Sequence, residues 1–203
     1  MMSLPFLLRL PFPSQLNNLP YLTVDPTTIE LQKVNLCLNN KLLNVGIVWA
    51  GSKRKNDIVD GRSRSLDLFQ EILTVPNSKI YSLQIGDELH QIENYRDHII
   101  DLSPYIEDFY DTAAIIQNLD IVVTVDTSVA HLAAALGKRV FVLIPFEYDW
   151  RWGKRDNVTT DWYPNVMTLF RQKKPFEWEE TFKRVANELH SLTQAKMEAQ
   201  SKS

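Results

Sequence analysis

IVVTVDTSVAHLAAALG, residues 121–137, has the pattern of a buried strand that leads into a polar turn and then into a helix of small residues. Its first five residues are all β-branched, which is typical of a strand covered on both faces. The polar residues that follow, Asp126, Thr127 and Ser128, are good helix N-caps, and Gly137 is a typical helix terminator. The segment therefore predicts a strand–turn–helix unit of an α/β protein.

The start of this predicted helix has the features of an anion site. The free N–H groups and partial positive charge of a helix start point beyond the carboxyl end of the preceding strand. His131 follows Ser128 by one helical turn and Thr127 by slightly more, so the three residues share a helix face. Two hydroxyls and a histidine in this place suit a phosphate group. The alternative is that Asp126 only caps the helix and His131 is an interior histidine; the coincidence of features favours ligand binding.

Strand and helix patterns alternate on both sides of this unit. Strands are predicted at residues 43–50, 79–84, 98–102, 120–125, 139–144 and 166–170. Helices are predicted at residues 27–40, 65–73, 88–95, 106–118, 129–136 and 177–195. Such alternation predicts right-handed βαβ units, so the expected fold class is α/β, a Rossmann-like parallel sheet flanked by helices. In these sheets, ligands bind at the carboxyl ends of the strands.

The chain divides into three predicted parts. Residues 1–42 are expected to form an amino-terminal connector of extended coil with one helix. Residues 43–195 are expected to form the Rossmann-like domain. The polar tail, residues 196–203, is expected to fray.

The composition is that of an ordinary globular protein, with 44% hydrophobic residues, 23% charged residues and a net charge of −3. A nucleic-acid partner is not expected, since such domains are normally basic. The single cysteine, Cys37, excludes an internal disulfide and a multi-cysteine metal site, and the expected setting is cytoplasmic. Pro5, Arg9 and Pro11 interrupt the apolar start, so no signal peptide is expected. No apolar run approaches the ~18 residues of a membrane span.

Three further polar clusters follow predicted strands and are expected to meet the 126–131 turn at one edge of the sheet. The first, WAGSKRKND at 49–57, has Gly51, where the backbone can approach a ligand, and Lys53, a cation for phosphate. Arg64 is a further cation near this cluster. Alternatively, the 49–57 cluster is only a solvated charged loop.

The other two clusters suit the remaining parts of a nucleotide-like ligand. In SLQIGD at 82–87, Gln84 can bond a base or a sugar, or belong to an ordinary strand-to-helix turn. In PFEYDWRW at 145–152, the aromatic residues around Trp150 either hold the loop down or wall a pocket in which rings stack on the ligand.

Signatures of several other enzyme classes are missing from the sequence. It has no Gly-x-Gly-x-x-Gly dinucleotide loop, no Walker loop, no Gly-x-Ser-x-Gly elbow and no His-Glu-x-x-His helix. Its four histidines lack metal-ligand spacing. Neither a cofactor nor a metal is therefore expected.

The ordered series of motifs resembles glycosyltransferase family 9, the heptosyltransferase-like enzymes. Residues 126–137 resemble the donor-site motif of that family. The motifs that resemble the variant fused behind tetratricopeptide repeats are VGIVWAG at 45–51, RSL at 64–66, SLQ at 82–84, DWRW at 149–152 and LFRQ at 169–172. The resemblance runs from about Leu43 to the last predicted helix.

This resemblance implies the carboxyl-terminal half of a GT-B enzyme, which binds a nucleotide-diphosphate sugar for metal-independent glycosyl transfer to an unknown acceptor. By that analogy, the loop at Gly51 and the N–H groups of Thr127 and Ser128 hold the diphosphate, and His131 contacts it. The helix dipole and nearby cations then stabilise the departing nucleoside diphosphate. The expected substrate-binding residues are Gly51, Ser52, Lys53, Arg64, Gln84, Asp126, Thr127, Ser128, His131 and Trp150.

Two departures from the family pattern keep the catalytic residues unassigned. Ser128 stands where heptosyltransferases often carry glycine, and the segment before Leu43 has no room for the acceptor domain that usually supplies the base. We therefore expect the chain to be a fragment, to depend on a partner chain, or to be a binding module that holds a nucleotide-sugar without transferring it. A nucleotide-sugar epimerase is a more distant alternative. Apolar surface left by a missing domain favours a homodimer.

Overall fold

A computed structural model describes residues 19–36, 38–51 and 63–202 of the chain. A six-stranded, fully parallel sheet lies at its centre, with the strand order β3-β2-β1-β4-β5-β6. The strands are β1 Leu43–Val48, β2 Ser78–Ser82, β3 Ile99–Asp101, β4 Ile121–Val125, β5 Arg139–Ile144 and β6 Met167–Arg171. The predicted Rossmann-like α/β fold is thus confirmed.

The order of the strands places a reversal point in the middle of the sheet. From β1 the chain runs outward through β2 to β3, and it then returns to pair β4 with the other side of β1. The chain therefore continues from β1 toward one edge of the sheet and from β4 toward the other edge. In open parallel sheets, this is the place where a crevice forms beyond the carboxyl ends of the strands.

The α-helices are α1 Pro26–Leu36, α2 Gln70–Leu73, α3 Phe109–Asn118, α4 Ser128–Ala135 and α5 Glu179–Ser201. The predicted helix at 88–95 is a 3₁₀ helix, Asp87–Tyr95. The helix predicted from residue 106 begins at Phe109 instead, because the Asp108 carboxylate caps it and accepts hydrogen bonds from the N–H groups of Tyr110 and Asp111. Of the helices in the part of the chain that the structure describes, none is long and apolar enough to cross a bilayer.

Helices cover both faces of the sheet and create two apolar layers. One layer packs β4 residue Val122 with α1, α3 and α4, and the other packs Val123 with α2 and α5. Gly46 in β1 permits close approach of Leu119, the residue that follows α3, because a Cβ at Gly46 would lie 2.6 Å from Leu119 Cδ1. The central strands are therefore buried on both faces, as their β-branched sequences predict.

The last helix, α5, extends beyond its predicted end at residue 195 and includes most of the tail that was expected to fray. Two long-range contacts hold this extension. Lys196 Nζ lies 2.7 Å from Asp120 Oδ2, and Gln200 Nε2 donates to the carbonyl oxygen of Asn40 at 2.7 Å. Contacts with the Asp120 side chain and the Asn40 backbone thus hold residues 196–201 in the helix.

Residues 19–25, here called the amino-terminal strap, cross the carboxyl end of α4. The N–H groups of Tyr21 and Leu22 both donate to the carbonyl oxygen of Ala135, at 3.0 and 3.2 Å. Gly137, with a φ of +77°, ends the helix beside Pro20 of the strap. The chain that precedes the sheet is thereby attached to the helix that follows β4.

Candidate functional site

A cleft of about 820 Å³ lies beyond the carboxyl ends of β1 and β4 at the reversal point of the sheet. This volume is in the range of small-molecule sites. Its lining comes from the loops after β1 and β2, from the first turns of α3 and α4, and from the loop after β5. The lining residues include Gly51, Gln84, Ile85, Gly86, Asp87, Glu88, Phe109, Thr112, Asp126, Thr127, Ser128, His131 and Arg151.

Of the ten predicted substrate-binding residues, the structure brings six together in this cleft. They are Gly51, Gln84, Asp126, Thr127, Ser128 and His131. Ser52 and Lys53 lie outside the described residues. Arg64 and Trp150 lie in the described part of the chain but do not line the cleft.

The turn between β4 and α4 presents backbone N–H groups to the cleft. Thr127 is the N-cap, in an extended conformation with φ −136° and ψ 169°, and Ser128 is the first helical residue. The first N–H groups of an α-helix have no carbonyl partner within the helix. This end of α4 is therefore suited to an anion.

The hydroxyl of Thr127 is not used as a helix cap. Its Oγ1 lies 2.9 Å from Oγ1 of Thr124, whose own hydroxyl donates to the carbonyl oxygen of Val125 at 2.8 Å. Since Thr124 has one hydroxyl hydrogen, the Thr127 hydroxyl donates to Thr124. The donor that Thr127 offers to a ligand is therefore its backbone N–H.

Gln84 forms the junction between the first two strand loops. Its Oε1 accepts the N–H groups of Trp49 and Ala50 at 3.2 and 2.9 Å, and its Nε2 donates to the carbonyl oxygen of Ile85 at 2.9 Å. The side chain is 4% exposed. We interpret Gln84 as a residue that holds the cleft wall in place.

Two glycines shape the mouth of the cleft. Gly51 lies against the α4 turn, since a Cβ there would be 3.5 Å from Thr127 Cγ2, an ordinary contact distance. Gly86 has a φ of +82°, which side-chain-bearing residues rarely adopt, and a Cβ there would meet nothing within 4 Å. The loop after β2 thus turns sharply and leaves open space beside the cleft.

His131 lies one turn into α4 and has two aromatic neighbours. Its ring stacks on Trp152, with centroids 5.4 Å apart and an interplanar angle of 19°. Its Nδ1 lies 3.4 Å from the Tyr163 hydroxyl, which in turn lies 3.1 Å from the hydroxyl of Tyr21 in the amino-terminal strap. These contacts join the cleft to the strap.

The surroundings of the His131 imidazole determine its protonation state. Burial lowers the pKa of His131; the charge of Asp126 raises that pKa and the charge of Arg151 lowers it, both to a smaller extent. The imidazole is therefore neutral at neutral pH. Burial also raises the pKa of Tyr163, so its hydroxyl stays protonated.

Arg64 and Trp150 lie away from the cleft lining and have different environments. The Arg64 guanidinium lies 4.4 Å from the centre of the Trp178 ring, and the Arg64 N–H donates to the carbonyl oxygen of Trp49. Trp150 is 63% exposed at the start of a 3₁₀ turn, Trp150–Trp152. From this loop it is Arg151, paired with Asp149 at 3.1 Å, that lines the cleft. Trp152 and Tyr163 are buried, so part of the aromatic cluster packs the loop against the rest of the domain.

The far wall of the cleft contains residues that were not among the predicted substrate-binding residues. Asp87 and Glu88 begin the 3₁₀ helix after Gly86, and Phe109 and Thr112 come from the first turn of α3. The available signal was the cap Asp108 followed by a large aromatic residue, which places an apolar ring at a helix start. Phe109 is 58% exposed, although it is large and apolar.

The residues that the structure describes include no group of three or more histidine, cysteine, aspartate or glutamate side chains placed to hold a metal ion. Among the described residues, the ionisable groups lining the cleft are Asp87, Glu88, Asp126, His131 and Arg151. Of these, His131 and Arg151 can donate to a ligand anion, together with the helix N–H groups.

Residues 89–144 match the model of glycosyltransferase family 9, described as heptosyltransferase. The matched segment includes α3 and the whole turn between β4 and α4. The chain is also 26% identical over 184 residues to Protein FlbA from Caulobacter vibrioides. This alignment covers 85% of the chain and 29% of FlbA.

Two solved structures have a similar fold. ADP-heptose LPS heptosyltransferase II from Escherichia coli matches with a TM-score of 0.60 and 13% identity, over 87% of this chain and 54% of that one. A family 9 glycosyltransferase from Veillonella parvula matches with a TM-score of 0.56 and 9% identity, over 87% and 53%. The chain thus spans about half the length of these enzymes.

These comparisons confirm the resemblance to glycosyltransferase family 9 and the GT-B-like fold. The match to this family model is consistent with glycosyl transfer in general. The association with tetratricopeptide repeats stays a prediction.

Proposed function

We propose, from the family 9 match of residues 89–144 and from the position of their β4–α4 turn in the cleft, that this domain binds a nucleoside-diphosphate sugar as the donor half of a glycosyltransferase. The carrying observation is that the matched segment supplies the β4–α4 turn and the start of α3 to the cleft at the reversal point of the sheet. Binding there follows the general rule for open parallel sheets.

The diphosphate lies at the start of α4 in this proposal. The N–H groups of Thr127 and Ser128 and the helix dipole favour a negative group there. Arg151 adds a cation from the opposite loop, and His131 adds a neutral donor from the first turn. Gly51 closes the site on the β1 side, where its lack of a side chain leaves room for the phosphates.

The nucleoside extends toward the wall formed by the β2 loop and α3. The exposed Phe109 ring and Ile85 offer apolar surface to a base. Asp87 and Glu88 offer carboxylate oxygens, which accept hydrogen bonds from sugar hydroxyls. This placement leaves the sugar to be transferred at the open mouth of the cleft.

Transfer in this proposal needs charge stabilisation on the leaving nucleoside diphosphate. The α4 N–H groups and Arg151 are preorganised for that task, which a metal ion performs in other transferases. The acceptor, the sugar and the catalytic base are not assigned by the described residues. The expectations that another domain or a partner chain supplies the acceptor site, and that the chain forms a homodimer, stay predictions.

Isothermal titration calorimetry with ADP, UDP, GDP and CDP in the presence of EDTA tests the proposal. ADP is the first choice because the name of one structurally similar enzyme includes ADP-heptose. Binding of at least one diphosphate without divalent metal supports the proposal. Failure of all four to bind, with and without added magnesium, would contradict it.

A further inference from the structure

We propose that Tyr163 is a positioning residue for His131, and that Tyr21 of the amino-terminal strap completes the same hydrogen-bonded chain. This inference deepens the proposed function and rests on it where nucleotide binding is concerned. The three side chains form a continuous series, in which Tyr21 Oη lies 3.1 Å from Tyr163 Oη and Tyr163 Oη lies 3.4 Å from His131 Nδ1. Only His131 of the three lines the cleft.

The groups that hold His131 are themselves firmly placed. Trp152, which stacks on the imidazole, is 2% exposed, and its carbonyl oxygen accepts a hydrogen bond from the buried Arg171 guanidinium. Tyr163 is 7% exposed, and its own N–H donates to the carbonyl oxygen of Thr160. The ring plane and the Nδ1 direction of His131 are therefore set by rigid neighbours.

The number of hydroxyl hydrogens determines which group donates and which accepts in each hydrogen bond of this series. Tyr163 has one hydroxyl hydrogen and two partners, while Tyr21 is 58% exposed. A neutral imidazole nitrogen is a better acceptor than a phenol oxygen, so Tyr163 donates to His131 Nδ1 and accepts from Tyr21. A neutral imidazole that accepts at Nδ1 carries its hydrogen on Nε2. His131 then offers one N–H donor, at Nε2, to a phosphate oxygen.

The strap brings Tyr21 to this series from a distant part of the sequence. Tyr21 and Tyr163 are 142 residues apart. The strap is tied to α4 at Ala135 and to α3 through the Asp25 N–H, which donates to the Tyr110 hydroxyl at 3.1 Å. The amino-terminal strap is thereby linked to α4, the helix that carries the cleft residue His131.

The Tyr163→Phe variant isolates this contribution, because the charged groups that face His131, Asp126 and Arg151, are unchanged. The lost hydrogen bond stabilised the neutral form of His131, so the pKa of His131 should rise in the variant. Tyr21→Phe should produce the same change to a smaller extent. Tyr105→Phe is the matched control, since Tyr105 is 40% exposed and does not line the cleft.

Nitrogen-15 NMR of the imidazoles in the ligand-free full chain tests the inference directly, with His131 assigned by the His131→Gln variant. We expect the Nε2–H tautomer in the wild type, a mixture of tautomers and a raised His131 pKa in Tyr163→Phe, and no change in Tyr105→Phe. An Nδ1–H tautomer in the wild type would overturn the inference even if Tyr163→Phe failed to fold. An unchanged tautomer in a folded Tyr163→Phe would also overturn it.

Calorimetry with ADP adds the functional arm. Loss of a positioning hydrogen bond should weaken ADP binding by about fivefold in Tyr163→Phe, with Tyr105→Phe unchanged. Equal affinity in a variant whose tautomer has changed would overturn the link to binding. A wild type that binds no nucleoside diphosphate would contradict the proposed function, and the tautomer result would still decide the role of Tyr163.

Discussion

The imidazole of His131 stacks on the buried indole of Trp152, with their centroids 5.4 Å apart. One ring belongs to the first turn of α4 and the other to the aromatic loop after β5. The stack therefore fixes a residue of the cleft against a segment that follows another strand. Trp150, the first tryptophan of the same loop, has no part in this stack and is exposed.

Trp152→Ala should remove this support and leave a cavity. Truncation of a buried aromatic side chain lowers the free energy of unfolding by about 3–5 kcal/mol. Trp152→Phe keeps an aromatic face beside His131 and should cost clearly less. Urea denaturation measures both, and Trp150→Ala is the control because Trp150 is 63% exposed. Equal stabilities for Trp152→Ala and Trp150→Ala would contradict the packing described.

His131→Ala should weaken nucleoside-diphosphate binding by ~1–3 kcal/mol, the scale of a hydrogen bond to a charged group. His131 lies in the first turn of α4, where the phosphates are proposed to bind. Calorimetry with the tightest-binding diphosphate measures the change. The control is His98→Ala, which removes an exposed imidazole away from the cleft. Unchanged affinity in His131→Ala would contradict the site.

Acidification should destabilise the fold partly through His131. Burial lowers the pKa of His131 in the folded state, so below pH ~6.5 the unfolded state binds more protons at this residue than the folded state does. The free energy of unfolding should then fall as the pH drops through that range, and His131→Gln should show a smaller fall. Urea titrations of both proteins across this range provide the measurement. Identical pH dependence would show that His131 titrates equally in both states.

Asp120 should stabilise the amino end of the sheet and the end of α5 together. Its Oδ2 accepts from the Asn44 N–H at 2.7 Å, from Asn44 Nδ2 at 3.2 Å and from Lys196 Nζ at 2.7 Å. Because the pair with Lys196 is partly exposed, we expect Asp120→Ala to lower the free energy of unfolding by about 1–2 kcal/mol. Hydrogen exchange should also increase in residues 196–201. A change confined to α5, with β1 unaffected, would contradict the bond to Asn44.

The sheet could be predicted because its signals are local. Runs such as IVVTV at 121–125 and RVFVLI at 139–144 carry their own pattern of burial, and parallel topology follows from the alternation of strands and helices. The part of the cleft at the β4–α4 turn followed from the same logic, because residues after parallel strands meet at one edge.

The rest depended on contacts between distant residues. The side chain of Gln84 is recognisable as a polar residue after a strand, but its bonds to Trp49 and Ala50 come from another loop. The extension of α5 depends on Asp120 and Asn40, and the partner of Tyr163 comes from the amino-terminal strap. Sequence spacing carries no information on such pairs.

The most direct test of nucleotide binding in the cleft is to locate ADP on the protein by nitrogen-15 amide NMR in the presence of EDTA. We expect saturable shifts at the amides of Thr127, Ser128 and Val129, together with residues 84–88 on the opposite wall, because these groups line one cleft. Shifts confined to other surfaces, or none for ADP, UDP, GDP or CDP, would contradict the claim that this cleft holds a nucleoside diphosphate.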